Sequence, residues 1–189
     1  MIAVVGPSGA GKDTLIDYAR QRLSTDPSIL FVRRVVTRIA QANAEDHDTL
    51  TVESFAEERT AGKFAVTWQA HGLHYAIPSD ARLHVVSGGI AVVNGSRAAL
   101  PAICSAFGRV LTVLVTCRPD VLAARLAARG RENALEQGLR LARGAMPSDK
   151  LSPAIEIDNS DGVAVAGNAL VAIIHDAIGV DQSGHMLRP

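Results

Sequence analysis

A glycine-rich loop, Gly6-Pro7-Ser8-Gly9-Ala10-Gly11-Lys12, follows directly on the unbroken apolar run Met1-Ile2-Ala3-Val4-Val5. The run is short and β-branched, as in a strand buried on both faces of a parallel sheet. Downstream, Leu15, Ile16, Ala19 and Leu23 recur at helical spacing, which predicts an amphipathic helix from Lys12 to about Ser24. The loop fits the pattern G-x-x-x-x-G-K, and it stands between a strand and a helix, the context in which that pattern binds phosphate. Glycines let the backbone wrap with its N–H groups inward, and the positive end of the helix adds to the field on an anion. Gly6, Pro7, Ser8, Gly9, Ala10, Gly11, Lys12, Asp13 and Thr14 are therefore the candidate nucleotide-phosphate site, with Lys12 reaching the β and γ phosphates.

The residue after Lys12 is Asp13, where Ser or Thr usually helps hold magnesium. A carboxylate at a helix N-terminus gains under about 1 kcal/mol from the dipole. Its repulsion with a phosphate about 4 Å away is roughly 4 kcal/mol at an effective dielectric of 20, so a cation is expected between them. Asp13 is thus the candidate Mg²⁺ ligand, directly or through a water.

The rest of the chain alternates strand and helix signals. A second strand is predicted over Ile29–Val36, a loop over Gln41–Thr49, and a helix over Glu53–Ala61 ended by Gly62. Phe64–Ile77, turning at Gly72, reads as a hairpin in a small lobe. Buried strands are predicted at Gly89–Val93, Leu111–Val115 and Ala154–Ile157, with helices over 96–107, 119–129, 133–145 and 163–178. This order predicts a doubly wound α/β fold. It is read as one domain over 1–180, with a polar, unpatterned tail over 181–189.

Composition narrows the function class. The 19 basic and 19 acidic residues balance, which argues against a general nucleic-acid or membrane-surface binder. No signal peptide or membrane-length apolar run is readable, which points to the cytoplasm. Cys104 and Cys117 have neither redox-pair nor zinc spacing and are read as structural. His47, His71 and His74 are not spaced as a helical metal pair.

Several blocks, in order, resemble the guanylate kinase superfamily: the loop Gly6–Lys12, Thr37-Arg38, His71-Gly72-Leu73-His74-Tyr75, Arg125-Leu126 with Arg129-Gly130, and Ile157-Asp158-Asn159. The resemblance implies a P-loop kinase with a parallel sheet flanked by helices. It further implies an acceptor lobe over about 37–80 and an arginine-bearing lid over about 125–147. Thr37-Arg38 looks like the phosphate clamp, Arg125 and Arg129 like lid arginines acting on ATP or the transferring group, and Asn159 like the asparagine near the adenine. Two departures concern the acceptor. The guanine-reading glutamate falls on Val66, which cannot accept hydrogen bonds from a guanine edge, and the acceptor-lobe Asp-Tyr pair falls on Asp46-His47.

Gly11-Lys12-Asp13, Trp68 with His71-Gly72-Leu73 and Tyr75, Val93-Asn94-Gly95-Ser96-Arg97, and Arg129-Gly130-Arg131-Glu132-Asn133 are similar to the ribose 1,5-bisphosphate phosphokinases of the carbon–phosphorus lyase pathway. That resemblance implies ATP and ribose 1,5-bisphosphate as substrates, 5-phosphoribosyl 1-diphosphate and ADP as products, and Mg²⁺ arriving with ATP. Arg38, Trp68, Tyr75, Asn94 and Arg97 are the implied acceptor residues, and Lys12, Arg38, Arg125 and Arg129 the implied catalytic ones. Arg131, Arg140 and Arg143 are further arginines of the lid region. A homodimer is compatible with this reading. A nucleoside monophosphate kinase and a non-catalytic guanylate kinase-like binding module are the alternatives; the module is the less favoured because Lys12 and the arginine set are intact.

Overall fold

The computed structural model describes residues 1–37, 47–70, 72–128 and 154–184. Five strands, β1 (Ile2–Val5), β2 (Ile29–Phe31), β7 (Ile90–Asn94), β8 (Leu111–Thr116) and β9 (Ala154–Asp158), form a wholly parallel sheet in the order β2-β7-β1-β8-β9. β1 is central, and its side chains alternate between two cores. Ile2 and Val4 pack with Leu15, Ile16 and Ala19 of α1 (Lys12–Leu23) and with Leu170 and Ile174 of the last helix, α6 (Val163–Gly184). Ala3 and Val5 pack on the other face with Ala81 of α3 (Ser79–Val86) and with Leu100 and Ile103 of α4 (Leu100–Phe107). Layers on both faces explain why these strands read as continuous apolar runs. The close approach of α1 and α6 depends on Gly167, where any Cβ would enter the Tyr18 ring.

A second sheet, in the order β4-β3-β6-β5, contains β3 (Arg34–Val36), β4 (His47–Thr49), β5 (Phe64–Ala70) and β6 (Leu73–Pro78). β5 and β6 form the expected antiparallel hairpin, β6 pairs antiparallel with β3, and β3 pairs parallel with β4. Residues facing each other across strands share a face, as do residues two apart along one strand. Val35 and Ala76 therefore face one way, under Phe55 of α2 (Val52–Thr60), with Phe64 packed alongside. Arg34, Val36, His47, Tyr75 and Trp68 face the other way.

The structure corrects four sequence expectations. The expected loop over Gln41–Thr49 ends in a strand, β4, because its last three residues pair with β3, a partner that polar residues do not announce. Ile29–Val36 is not one strand: β2 belongs to the first sheet and β3 to the second. Val32 still donates to Val92 (2.9 Å), Arg33 turns outward onto Asp48 (3.0 Å), and the new sheet begins at Arg34. Apolar periodicity is the same on either side of such a corner, so it cannot register a change of sheet. Helix α3 is absent from the sequence expectations, because only Ala81 of its eight residues is buried and its amphipathic signal is slight. The closing helix runs past Ile178 to Gly184, into the stretch read as tail, because Gln182 favours a helix and Asp181 and Ser183 weaken one without ending it. The expected helix over 133–145 and most of the lid lie outside the described residues. Among the described residues no helix is long and apolar enough to cross a membrane.

Candidate active site

The C-terminal ends of β1, β7, β8 and β9 meet at one edge of the parallel sheet, the edge at which open α/β sheets bind ligands. The loop after β1 owes its path to three glycines at positive φ: Gly6 (148°), Gly9 (89°) and Gly11 (93°). A Cβ at Gly6 would enter the carbonyl oxygen of Val115 in β8, and one at Gly11 would enter the Asn159 amide. The glycines are thus needed for close approach as well as for conformation. Lys12 Nζ donates to the carbonyls of Gly6 (3.1 Å) and Pro7 (2.9 Å), lying along its own loop. No side chain caps α1, whose N-cap is Gly11 in the left-handed region, and this leaves its N-terminal dipole directed at whatever the loop holds. Thr14 is exposed on the first turn of α1.

Asn159, just beyond β9, lies beneath this loop and is 1% exposed. Its Nδ2 donates to the Ala10 carbonyl (2.8 Å), and its own N–H donates to Thr116 at the end of β8 (2.8 Å). Arg125, on α5 (Pro119–Ala128), donates from Nη2 to the Asn159 carbonyl (2.9 Å) and from Nη1 to the Ala10 carbonyl (3.3 Å). Arg125 and Asn159 therefore brace the phosphate loop from two neighbouring elements. The turn carrying Asn159 is itself fixed. Ser160 donates its hydroxyl and N–H to Asp158, and these bonds hold the Asp158 carboxyl below its ordinary range. Arg118 donates its N–H to the Ser160 hydroxyl (2.8 Å) and pairs with Asp161 (2.7 Å).

On the other side of the loop, Asp13 and Asn94 are joined by a short hydrogen bond from Asn94 Nδ2 to Asp13 Oδ1. The same carboxylate oxygen is 4.0 Å from Nη2 of Arg34. Arg34 is 8% exposed and sits with its guanidinium carbon 5.8 Å from the centre of the Tyr75 ring, which stacks on Trp68 (5.4 Å, 11° between planes). Asn94 is also 8% exposed, and its Oδ1 is buried with no hydrogen-bond partner among the described residues, as is His47 Nε2. Arg34 is the site residue that sequence reasoning missed. The signal was there: an arginine inside an apolar, β-branched run is out of place in a core strand.

The structure thus gathers Lys12, Asp13, Asn94, Arg125 and Asn159 around one loop, and adds Trp68 and Tyr75 through Arg34. Trp68 also packs against the second core, so it is not purely a pocket residue. Val66 is buried in that same core, beside Ile77. Arg97, half-buried, opens the 3₁₀ turn Arg97–Ala99 beyond β7, where the Ser96 hydroxyl accepts the Ala99 N–H (3.2 Å). Thr37 is tied into the hairpin, bonding His74 through its hydroxyl (2.9 Å) and its N–H (3.0 Å). Arg38, Asp46, His71, Arg129, Arg131, Arg140 and Arg143 lie outside the described residues.

The chain is 43% identical to the ribose 1,5-bisphosphate phosphokinase PhnN of Agrobacterium fabrum over 182 residues, 96% of this chain and 100% of that protein. It belongs to the ribose 1,5-bisphosphate phosphokinase family. Other members of the phosphokinase family are equally similar: that of Rhizobium etli is 43% identical over 92% of this chain and 88% of its own length. For that of Brucella melitensis the figures are 42%, 93% and 91%. A family model described as an AAA domain matches residues 2–143. Among solved structures, a guanylate kinase from Anaplasma phagocytophilum aligns with a TM-score of 0.68 at 14% identity, covering 94% of this chain and 85% of that one. A gluconokinase from Sinorhizobium meliloti aligns at 0.52 and 14% identity, covering 94% and 93%. At such identities these two establish the shared P-loop kinase fold alone.

Proposed function

We propose that this protein transfers the γ-phosphoryl group of ATP to ribose 1,5-bisphosphate, giving 5-phosphoribosyl 1-diphosphate and ADP. The observation that carries the reading is the near-full-length identity to proteins of that name, on a chain whose phosphate loop is complete and braced. An oxygen of the C1 phosphate attacks the γ-phosphorus, and the bond from that phosphorus to the β,γ-bridging oxygen breaks, leaving on ADP. The nucleophile has a second pKa of about 6, so it is largely ionised at neutral pH and needs no general base. What the protein supplies is position, neutralisation of two converging anions and exclusion of water.

In this reading Lys12 leaves the loop carbonyls for the β and γ phosphates. Arg125 and Asn159 fix the loop that receives them. Arg38 and Arg97 serve the acceptor, and Arg129 the transferring group. Asn94 Oδ1, a buried acceptor without a partner among the described residues, suits a sugar hydroxyl. Val66 belongs to an apolar core and offers a guanine edge nothing to bond, which argues against GMP as acceptor.

Magnesium is the expected companion of ATP. The residues fit it: the Asp13 carboxylate, a hard oxygen donor, stands in the first turn of α1 next to the loop, and Mg²⁺ is held by one or two carboxylates together with phosphate oxygens. When bound, the ion neutralises charge on the transferring group. An Asp13→Ala variant is expected to need more Mg²⁺ for half-maximal rate, and an unchanged requirement removes Asp13 from that role.

Phosphorus NMR tests the whole reading, using protein with MgATP and, separately, ribose 1,5-bisphosphate, GMP or no acceptor. A new diphosphate doublet only with the ribose compound supports it. Product from GMP replaces it with a nucleotide kinase, and silence in every tube refutes it.

A further inference from the structure

We propose that Arg34 receives the attacking C1 phosphate of the acceptor, so that acceptor recognition reaches the reaction centre through this buried guanidinium. The proposal rests on the phosphokinase reading and assigns within it a residue that neither the loop motif nor the lid pattern includes.

Three observations carry it. First, Arg34 stands on the face of the second sheet that α2 does not cover, in line with His47, Tyr75 and Trp68, yet its Nη2 lies 4.0 Å from Asp13 on the first turn of α1. It spans from the acceptor lobe to the corner where a nucleotide's phosphates end.

Second, the cation is held in place rather than left to sample solvent. Arg34 is 8% exposed, its guanidinium rests near the Tyr75 ring, and Trp68 stacks on Tyr75 from beyond. A guanidinium is weakly hydrated, tolerates such an aromatic seat and offers a planar fork that matches phosphate oxygens in pairs.

Third, two buried polar atoms that have no hydrogen-bond partner among the described residues lie near this arginine. Asn94 Oδ1 belongs to the residue that bonds Asp13, and His47 Nε2 belongs to the residue in register with Arg34 on β4. Buried polar atoms are nearly always satisfied, and a phosphorylated sugar offers what these two need: a hydroxyl to donate to Asn94 Oδ1, and a hydroxyl or a phosphate oxygen for His47 Nε2 according to its tautomer.

The test compares wild type with Arg34→Lys and Arg34→Gln, each first shown to be folded by thermal melting, in steady-state assays that vary ribose 1,5-bisphosphate and ATP separately. Losing the fork is expected to lower kcat/KM for ribose 1,5-bisphosphate about 10- to 100-fold, more in Gln than in Lys. KM for ATP should change at least about fivefold less than kcat/KM for ribose 1,5-bisphosphate, because ATP is held chiefly by the loop. Equal losses for ATP and acceptor would mean that Arg34 only holds Asp13 in place, and unchanged acceptor kinetics would mean that it touches no substrate; either overturns the proposal. A wild type that makes no product from ribose 1,5-bisphosphate removes the functional reading, and the proposal with it. An active wild type with an indifferent Arg34→Lys removes the proposal alone. If neither variant folds, NMR of the wild type decides. The arginine Nε–Hε signal with contacts to the Tyr75 ring must shift with ribose 1,5-bisphosphate and not with MgADP, and an unmoved signal refutes the assignment.

Discussion

Replacing Gly6 by alanine tests the geometry of the phosphate loop most directly. Gly6 has φ 148°, a region open essentially to glycine alone, and forcing alanine there costs about 1–3 kcal/mol. The new Cβ would also enter the carbonyl oxygen of Val115, in a strand hydrogen-bonded on both sides by β1 and β9 and therefore unable to retreat. Overpacking of this kind adds about 1–3 kcal/mol. The midpoint of the sum is about 4 kcal/mol, which for a chain of this size lowers Tm by roughly 8–16 °C. Gly62 is the control, with φ 72° and nothing within 4 Å of the position an alanine Cβ would take. Gly62→Ala costs about 1–2 kcal/mol for the left-handed backbone, of which about half is offset by the stiffer unfolded chain, so its Tm falls by roughly 1–4 °C. Scanning calorimetry of both variants, with and without MgADP, measures the contrast. Saturation at about a hundred times Kd adds about 2.7 kcal/mol to the wild type and to Gly62→Ala, and little to Gly6→Ala with its displaced loop. Equal melting points for the two variants, or full MgADP stabilisation of Gly6→Ala, would refute the claim that β8 closes the space beside Gly6.

Arg125→Ala removes both guanidinium bonds that brace Ala10 and Asn159, and KM for ATP is expected to rise about tenfold, taking one charge-assisted bond at its lower value because the side chain is only half-buried; an unchanged KM in initial-rate assays would deny the brace. Thr37→Val leaves the His74 N–H without its acceptor, which should cost about 1–2 kcal/mol and roughly 2–8 °C in Tm, read by circular dichroism. Burial pushes the Cys117 thiol up whereas Cys104 is exposed, so iodoacetamide at neutral pH should label Cys104 first, with Cys117 following only as pH rises toward its raised pKa. Mass spectrometry showing the reverse order would contradict the packing around β8.

The local parts of this protein were legible in the sequence because their causes are local. A strand, a glycine-rich loop and a helix occupy consecutive residues, and the chemistry of the loop lies in its own backbone N–H groups, so Gly6–Lys12 declared both the fold class and the nucleotide end of the site. Gly62 and Gly72 marked their turns, and Leu15, Ile16, Ala19 and Leu23 marked the buried stripe of α1. The change of sheet between Phe31 and Arg34 was not legible, since Ile29–Phe31 and Val35-Val36 are both apolar strand formers and only their partners differ. The site's supports were hidden for the same reason. The Asn159–Ala10 bond joins residues 149 apart, Arg125–Ala10 spans 115 and Asn94–Asp13 spans 81, and no pattern along the chain encodes such pairs. Sequence alone therefore determined that the protein holds phosphate, through backbone geometry written in successive residues. Only the tertiary structure decided that Arg34 comes out of a strand to stand beside Asp13, because a side chain's neighbours are set by the packing of elements far apart in the chain.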